Sequence, residues 1–354
     1  MSCRVLHIVR RFGPVGGMER YVWRLTSELL ELGVEIDILC QSVECEVDPR
    51  ITLHLLEPST DRRRWKAMRD FRSKCDQFWL EFKAKDGVVV HSHERCSFHH
   101  CSTFHGPPMP SLEFIPWYQK LSPRIKAWRC WEMEEVLGSQ VQYVVPVSLL
   151  LRSELECLYP SVRWKFQKVI APGINSEENT VFVKPVDELR CIFVGKEWKR
   201  KGLERAIGIL AKVNKRGIAL TLDVYGPDAN ELELAVLPPW VKVKGLVKDI
   251  PFDGYDLLIH PATKEPFGMV VTEALSKGCR ALVSDKVGAR DLRHPAMRVV
   301  EIGCHDDVWV SAIEQLVKEA GEIPYEFQTW RETALNYLTQ IYESIYASPI
   351  ERQS

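Results

Sequence analysis

Two glutamates in the C-terminal half, Glu265 and Glu273, are separated by seven residues and could bind hydroxyl groups together. An apolar strand that ends at His260 precedes them, and a helix is predicted to begin near Gly268. Free N–H groups at a helix start, together with the helix dipole, favour an anion. Carboxylates beside such a site can accept hydrogen bonds from the hydroxyl pairs of a sugar and a ribose. The alternative interpretation is that Glu265 caps the helix and Glu273 is solvated.

The composition is that of a globular chain and excludes several classes of protein. The 354 residues are 45% apolar and 27% charged, with a net charge of −1, so nothing indicates a nucleic-acid partner. The N-terminal apolar run is too short for a signal peptide, and no stretch approaches the ~20 apolar residues that cross a bilayer. The 11 cysteines lack framework spacing and are interpreted as reduced thiols. We therefore expect a cytoplasmic protein.

The apolar pattern predicts two α/β domains. Residues 4–9 form a strand, 19–32 an amphipathic helix and 34–40 a second strand, which together indicate a parallel sheet with a binding crevice at the carboxyl edge. A second alternation begins with the strand 189–194, after a polar stretch that follows Asn175. We predict an N-terminal domain 1–170, a linker 171–187 and a C-terminal domain 188–326, each doubly wound. The helix 327–347 is expected to pack back on the first domain.

Motifs along most of the chain resemble those of the retaining glycosyltransferases of family 4. The segments that carry the resemblance are Gly16–Glu19, Val145–Ser148, Ala171–Asn175, Val194–Lys196, Lys199–Gly202 and Glu265–Gly278. The family has the GT-B fold, two facing Rossmann-like domains with the active site in the cleft between them. The match runs in family order over roughly residues 4–295, which makes coincidence a poor explanation.

The resemblance implies a donor site for a nucleotide-diphosphate sugar. Glu273 would hold the ribose hydroxyls, and Glu265 would bind hydroxyls of the transferred sugar. Lys196 and Lys201 would neutralise the leaving diphosphate, since cleavage leaves growing negative charge on a phosphate oxygen. Lys199 and Arg200, between them, suit a solubilising turn better. The remaining implied donor contacts are the amides of Phe267, Gly268 and Met269, the backbone of Gly16, Gly17 and Gly195, and main-chain contacts to the base near Val247.

His105 matches the histidine that faces the transferred sugar in this family. We expect it to orient the sugar and stabilise charge, with retention by front-face attack, no cofactor and no metal. A zinc site is the alternative for this segment, which carries His91, His93, His99, His100 and His105 with Cys96 and Cys101. The spacing matches no common zinc pattern, which favours a polar loop. About eight residues separate His93 from the next strand, too few for a helical crossover.

Two further segments carry open alternatives. The basic residues within 62–74 surround an apolar helical stripe, and they either contact an anionic membrane weakly or are simply solvated. The aromatic residues within 112–131 form an acceptor pocket, a lipid-facing lobe or a satellite core.

The resemblance predicts transfer of a hexose from a UDP- or GDP-sugar to a hydroxyl of a growing glycan or glycolipid. Similarity to the lipopolysaccharide-core branch favours a bacterial envelope glycan and a place on the inner face of the cytoplasmic membrane. The rivals are a GT-B sugar-nucleotide epimerase and a non-catalytic sugar-nucleotide or glycan-binding protein.

Overall fold

The structure, a computed structural model, describes residues 3–82, 87–109, 121–175, 180–183, 188–232 and 237–347. It divides into two compact units, the first formed by Met1–Gly173 with Gln328–Ser354 and the second by Ile174–Phe327. Four residues of the predicted aromatic segment 112–131, Phe114, Ile115, Trp117 and Tyr118, lie outside the described residues.

A six-stranded parallel sheet forms the centre of the first unit. Its strands are β1 Arg4–Ile8, β2 Glu35–Cys40, β3 Thr52–Leu55, β4 Val88–Ser92, β5 Cys101–Phe104 and β6 Tyr143–Pro146. They lie in the order β3-β2-β1-β4-β5-β6, which is the order of a dinucleotide-binding fold. A short parallel ladder, Arg11–Phe12 with Ser42–Val43, extends the loop after β1.

Amphipathic helices cover this sheet. They are α1 Gly17–Glu31, α2 Arg64–Glu81, α3 Pro123–Leu137 and α4 Leu149–Leu158, followed by a 3₁₀ segment Pro160–Phe166. The helix α1 forms as its spacing predicts, because Val22, Leu25 and Leu29 fall on one face and are fully buried. The helix ends at Glu31, and Gly33, two residues further on, adopts a φ of 79° that glycine tolerates without strain.

The connection between β4 and β5 has no helix. The two strands are parallel neighbours, with Ser92 beside Ser102, and residues 93–100 join them as an irregular loop. The prediction that this segment is too short for a helical crossover is therefore confirmed.

The second unit repeats the architecture of the first. Its strands are β7 Leu189–Val194, β8 Leu220–Tyr225, β9 Val241–Gly245, β10 Leu257–His260, β11 Arg280–Ser284 and β12 Met297–Val300. All are parallel, in the order β9-β8-β7-β10-β11-β12. The helices are α5 Leu203–Lys215, α6 Met269–Leu275 and α7 Asp306–Leu316, with a single helical turn Trp198–Lys201 and 3₁₀ turns Ala229–Glu231, Phe252–Gly254 and Gly288–Leu292.

The predicted linker 171–187 is not irregular throughout. Thr180–Val183 is a strand, and it pairs antiparallel with Gly321–Pro324. Its Thr-Val-Phe-Val sequence has the β-branched and aromatic residues that favour strands. The strand was missed because the residues on both sides of it are polar.

The C-terminal segment packs against the first unit as a continuous helical run. It consists of α8 Trp330–Tyr337, a π-helical turn Leu338–Tyr342 and α9 Glu343–Ala347. The Gln328 amide and the Thr333 hydroxyl both donate to the carbonyl of Ala171, at 3.1 Å each. Gly173 lies so close to α8 that an added Cβ would meet the Trp330 nitrogen at 2.3 Å. None of the helices within the described ranges combines the length and the apolar content that a bilayer span requires.

Candidate active site

The loops that follow β7 and β10 meet where the strand order of the second unit reverses. Such a point is where open α/β sheets bind ligands, beyond the carboxyl ends of the strands. The Thr263 amide and hydroxyl donate to the carbonyl of Arg200 at 2.9 and 3.1 Å, and the Arg200 guanidinium donates to the carbonyl of Lys264. These bonds hold the two loops together and fix the groups that they carry.

Glu265 is the centre of a cluster of charged and polar groups in these loops. Its Oε2 lies 3.1 Å from Lys201 Nζ, 3.4 Å from Arg200 Nη1 and 3.6 Å from His260 Nε2. The Glu265 side chain is only 12% exposed. Burial alone would raise the pKa of Glu265, but Lys201, His260 and Arg200 outweigh it and hold that pKa well below its usual range. The carboxylate is therefore ionised at any physiological pH.

The backbone of Glu265 is fixed on both sides. Its amide donates to the Lys286 carbonyl, and its carbonyl accepts from the Gly288 amide, at 2.9 Å each. The alternative that Glu265 caps the following helix is wrong, because the N-cap of α6 is Gly268, with a φ of 93° and no side-chain cap bond. The side chain of Glu265 is thus available for the cationic cluster instead.

Gly195 makes room for Lys201. A Cβ added at Gly195 would lie 2.0 Å from Lys201 Cδ, and the φ of 153° at Gly195 is one that other residues rarely adopt. Gly202 is packed equally closely, since a Cβ there would lie 2.3 Å from the Pro261 carbonyl oxygen. Both glycines therefore bring the lysine-bearing turn against the loop after β10.

The other predicted donor residues of this unit differ in their exposure. Lys196 is exposed, and it is not among the groups paired with Glu265. Phe267 is buried, and its carbonyl accepts from the Ala289 amide at 2.7 Å. Met269 and Glu273 lie in the first and second turns of α6, both partly exposed, and Val247 is 37% exposed beyond the end of β9.

Sequence reasoning missed two members of this cluster. Arg200, interpreted as part of a solubilising turn, contacts both Glu265 and the loop that holds it. His260, noted only as the end of a strand, is fully buried against the Glu265 carboxylate. The signal available for His260 was its position, as a polar residue at the carboxyl end of a parallel strand.

In the first unit, Gly16 and Gly17 begin α1. Gly16 is the N-cap residue, with an extended φ of −156° that any residue adopts. A Cβ on Gly17 would meet nothing within 4 Å, so the backbone at this point is accessible. The loop before the glycines is held by an ion pair of Arg11 with Glu19, at 2.6 Å.

His105 ends a row of three histidines. His7 Nδ1 lies 3.0 Å from His93 Nε2, and His93 Nδ1 lies 3.0 Å from His105 Nε2. His7 and His93 are buried at the ends of β1 and β4, whereas His105 is partly exposed and packs edge-to-face on Tyr21 at 4.7 Å. Burial lowers the pKa of His7 and of His105 to about 3 and lowers that of His93 well below its usual range, so all three rings are neutral.

A second network ties the C-terminal helices to the same strand ends. His91 bonds the Tyr342 hydroxyl through Nδ1 and the Thr103 hydroxyl through Nε2, at 2.7 Å each. Tyr337 bonds Thr103 at 2.6 Å and accepts from Tyr21 at 3.0 Å. Because a π turn closes on the fifth residue, Tyr337 and Tyr342 lie on one face, with their rings stacked 5.8 Å apart. None of these tyrosines was predicted to take part in the site.

The seven residues considered for zinc do not come together. His99 Nε2 bonds the carbonyl of Glu135, and His100 Nδ1 accepts from the amide of Val90, so both serve the main chain. Within the part of the chain that the structure describes, the side chains that do converge are His7, His91 and His93, with ligand atoms within 4.8 Å of one another. Both ring nitrogens of His91 and of His93 already have hydrogen-bond partners.

The basic segment 62–74 is less cationic than its sequence indicates. Arg72 is buried and paired with Glu134, and Lys74 pairs with Asp70 at 3.0 Å. Lys66 lies 3.8 Å from Asp61. The exposed cations that remain are Arg62, Arg63, Arg64 and Arg69.

Comparison with known families and structures agrees with this fold. Residues 15–178 match the family model Glycosyltransferase Family 4, and residues 188–319 match Glycosyl transferases group 1. No curated protein sequence matches the chain.

Solved structures share the fold at low sequence identity. One is WaaG, a glycosyltransferase involved in lipopolysaccharide biosynthesis, with 16% identity, 97% of this chain and 98% of that chain covered, and a TM-score of 0.74. Another is sucrose-phosphate synthase from Thermosynechococcus elongatus, with 17% identity, 97% and 96% covered, and a TM-score of 0.67. A third is Anabaena HepE in complex with UDP-glucose, with 14% identity, 96% and 95% covered, and a TM-score of 0.60.

The repeated Rossmann-like units and the two family matches define the class: the chain is a glycosyltransferase of the GT-B fold. Within that class it belongs to the family 4 glycosyltransferases, with a family 4 first domain and a group 1 second domain.

Proposed function

We propose that the chain transfers a hexose from a nucleotide-diphosphate sugar to a hydroxyl of a growing glycan, with retention of configuration and without a metal. The observation that carries the proposal is the ionised carboxylate of Glu265 held among Lys201, Arg200 and His260. A buried carboxylate accepts hydrogen bonds from sugar hydroxyls, and adjacent cations stabilise a diphosphate that gains charge as it leaves.

The proposed roles follow the positions of the residues. Glu265 binds hydroxyls of the transferred sugar, and Lys201 neutralises the leaving diphosphate. Arg200 orients Glu265, because it binds the Glu265 carboxylate and the main chain of the same loop. Glu273, on α6, holds the ribose. Lys196 is exposed without a pairing to Glu265, which suits a side chain that meets the phosphates only when the donor is bound.

In this proposal, His105, Gly16 and Gly17 are the residues of the first unit that help to bind the sugar. A neutral histidine suits a hydroxyl-bearing partner, because it can form a hydrogen bond without adding charge. The remaining steps fit front-face transfer, in which the leaving phosphate accepts the proton of the attacking hydroxyl. Both the sugar–phosphate bond that breaks and the glycosidic bond that forms then lie on one face of the sugar.

Donor identity is the first test. Thermal-shift measurements against UDP, GDP, ADP and their hexose sugars should show a rise in melting temperature for one base, largest for the sugar nucleotide. Replacing Glu273 by Ala should remove most of that rise, whereas Lys201→Ala should lower the transfer rate more than it weakens binding. If no nucleotide raises the melting temperature, or if both variants transfer at the wild-type rate, the donor assignment is wrong.

We propose an acceptor in a bacterial envelope glycan, such as lipopolysaccharide core, reached from the inner face of the cytoplasmic membrane. WaaG, a protein of the same fold, supports this choice because it is involved in lipopolysaccharide biosynthesis. HepE, which was solved with UDP-glucose, supports a UDP-sugar as the donor. Four exposed arginines at the start of α2 would favour weak contact with anionic lipid. Sedimentation with phosphatidylglycerol vesicles at low salt tests this contact, and recovery of all the protein in the supernatant would exclude it.

A further inference from the structure

The row His7–His93–His105 constrains the protonation of its last member. A neutral imidazole has one N–H and one lone pair, so it donates through one nitrogen and accepts through the other. Both nitrogens of His93 are engaged, with His7 on one side and His105 on the other. The two hydrogen bonds must therefore run in the same direction along the row.

The buried end of the row selects that direction. His7 Nε2 is buried and has no hydrogen-bond partner among the residues that the structure describes. If the bonds ran from His105 toward His7, this nitrogen would carry an N–H with nothing to accept it. Buried N–H groups without a partner are rarer in folded proteins than acceptors that are not fully satisfied. The favoured direction thus leaves a lone pair on His7 Nε2 and runs outward.

The outer end of the row is where a ligand can be reached. His7 then donates through Nδ1 to His93, and His93 donates through Nδ1 to His105 Nε2. The only proton left for His105 is on Nδ1, and no described residue is bonded to that atom. His105 is partly exposed, so its Nδ1–H can meet a bound molecule.

We infer that His7 and His93 are positioning residues that hold His105 in its Nδ1–H tautomer, so that His105 donates a hydrogen bond to an oxygen of the transferred sugar. The tautomer of an imidazole is set by the bond that its other nitrogen makes. The role of the donated bond rests on the proposed function, whereas the tautomer itself does not. The preferred ligand atom is an acceptor, such as a hydroxyl oxygen of the sugar.

Nitrogen-15 NMR of histidine-labelled protein measures this directly, without substrate. Two-bond proton–nitrogen correlations distinguish Nδ1–H from Nε2–H, and His105→Gln assigns the signals of His105. We expect His105 in the Nδ1–H form, although free neutral histidine in water favours Nε2–H. Finding wild-type His105 as Nε2–H, or charged at pH 7, would overturn the inference.

Matched variants separate the relay from general packing. His93→Leu should release His105 to the Nε2–H form and lower kcat at least about tenfold, since an imidazole in the wrong tautomer cannot donate where it is needed. His93→Asn retains an amide N–H near the position of Nδ1 and should keep both the Nδ1–H tautomer and most of the turnover. The control is His99→Gln, at a buried histidine outside the row, which bonds the Glu135 carbonyl.

The possible outcomes distinguish the claim about the tautomer of His105 from the claim about its role in sugar transfer. Should His93→Leu leave the His105 tautomer unchanged, or His99→Gln change it equally, the relay is refuted. If His93→Leu does not fold, His7→Leu tests the relay instead, at the buried end of the row. If His105 is Nδ1–H but His105→Ala transfers sugar at the wild-type rate, the relay stands and the proposed role of His105 in transfer fails.

Discussion

The two units share one strand order but carry different polar groups at the point where that order reverses. The groups are neutral in the first unit and charged in the second. In the first, the ends of β1 and β4 carry His7, His91 and His93, all neutral and bonded to one another or to hydroxyl groups. In the second, the loops after β7 and β10 bring Lys201 to Glu265. The same architecture thus supplies uncharged hydrogen bonding in one unit and fixed charge in the other.

Two buried glutamates show what makes the difference. Burial raises the pKa of a carboxyl group in either unit. Glu265 has Lys201 and Arg200 beside it, so its pKa is lowered. Glu135 in the first unit shares Arg95 with Glu132, and burial raises the pKa of Glu135 to about 7. Because burial raises the pKa of both carboxyl groups, the number of cations beside each one accounts for the opposite directions of the two shifts.

The largest effect is expected from removing the charge of Glu265. Glu265→Gln should lower kcat/KM at least about 100-fold, because it loses the ionised acceptor and leaves Lys201 without its partner. Steady-state kinetics with the identified donor measure this. Glu197→Gln is the control, because Glu197 also pairs with Arg200 but is 60% exposed, and it should change the rate less than about fivefold. Equal effects of the two variants would mean that the Glu265 cluster is only structural.

Displacing Lys201 without removing it should have the next largest effect. In Gly195→Ala the new methyl group would occupy the space of Lys201 Cδ, so the ammonium must move. We expect kcat to fall roughly 10- to 100-fold. Gly208→Ala in α5, where a Cβ meets nothing within 4 Å, should keep the wild-type rate. A wild-type rate in Gly195→Ala would contradict a catalytic position for Lys201.

Only some residues of the site on which these predictions depend could be predicted from the sequence. Strand ends are readable from short apolar runs, so the α/β class and the position of Glu265 after a strand could be predicted. The role of Arg200 could not, because its partner Glu265 lies 65 residues away and nothing local distinguishes it from a solvated charge. His7 alternates with apolar residues inside a strand and is indistinguishable from a core position. The π turn that aligns Tyr337 with Tyr342 has no local sequence signal that we recognise.

The raised pKa of Glu135 predicts an effect on stability that is opposite to that expected for Glu265. A carboxyl group whose folded pKa lies above its ordinary value of 4.5 stabilises the fold most below about pH 4.5 and loses that contribution as pH rises through 7. Glu135→Gln should therefore gain stability relative to wild type between pH 5 and pH 8, by up to about 3 kcal/mol. Urea unfolding at both pH values measures the gain, and Glu46→Gln, at an exposed site, should show none. If the stability of Glu135→Gln relative to wild type stays constant or falls from pH 5 to pH 8, the pKa of Glu135 is not raised.

The smallest effect is expected from metal removal. Lys201 and Arg200 lie beside Glu265 and can neutralise the diphosphate, so EDTA should leave the transfer rate within about twofold of its untreated value. Added Mg²⁺ should not raise the rate. Loss of activity in EDTA that a divalent ion restores would mean that the diphosphate depends on a metal and not on Lys201 and Arg200.

The central claim is that the Glu265 cluster binds the sugar diphosphate, and a crystal structure with the nucleotide sugar selected by thermal shift tests it most directly. We predict a phosphate oxygen within hydrogen-bond distance of Lys201 Nζ and a sugar hydroxyl on the Glu265 carboxylate. A nucleotide sugar bound with both side chains still paired only to each other, or bound elsewhere on the chain, would contradict the account.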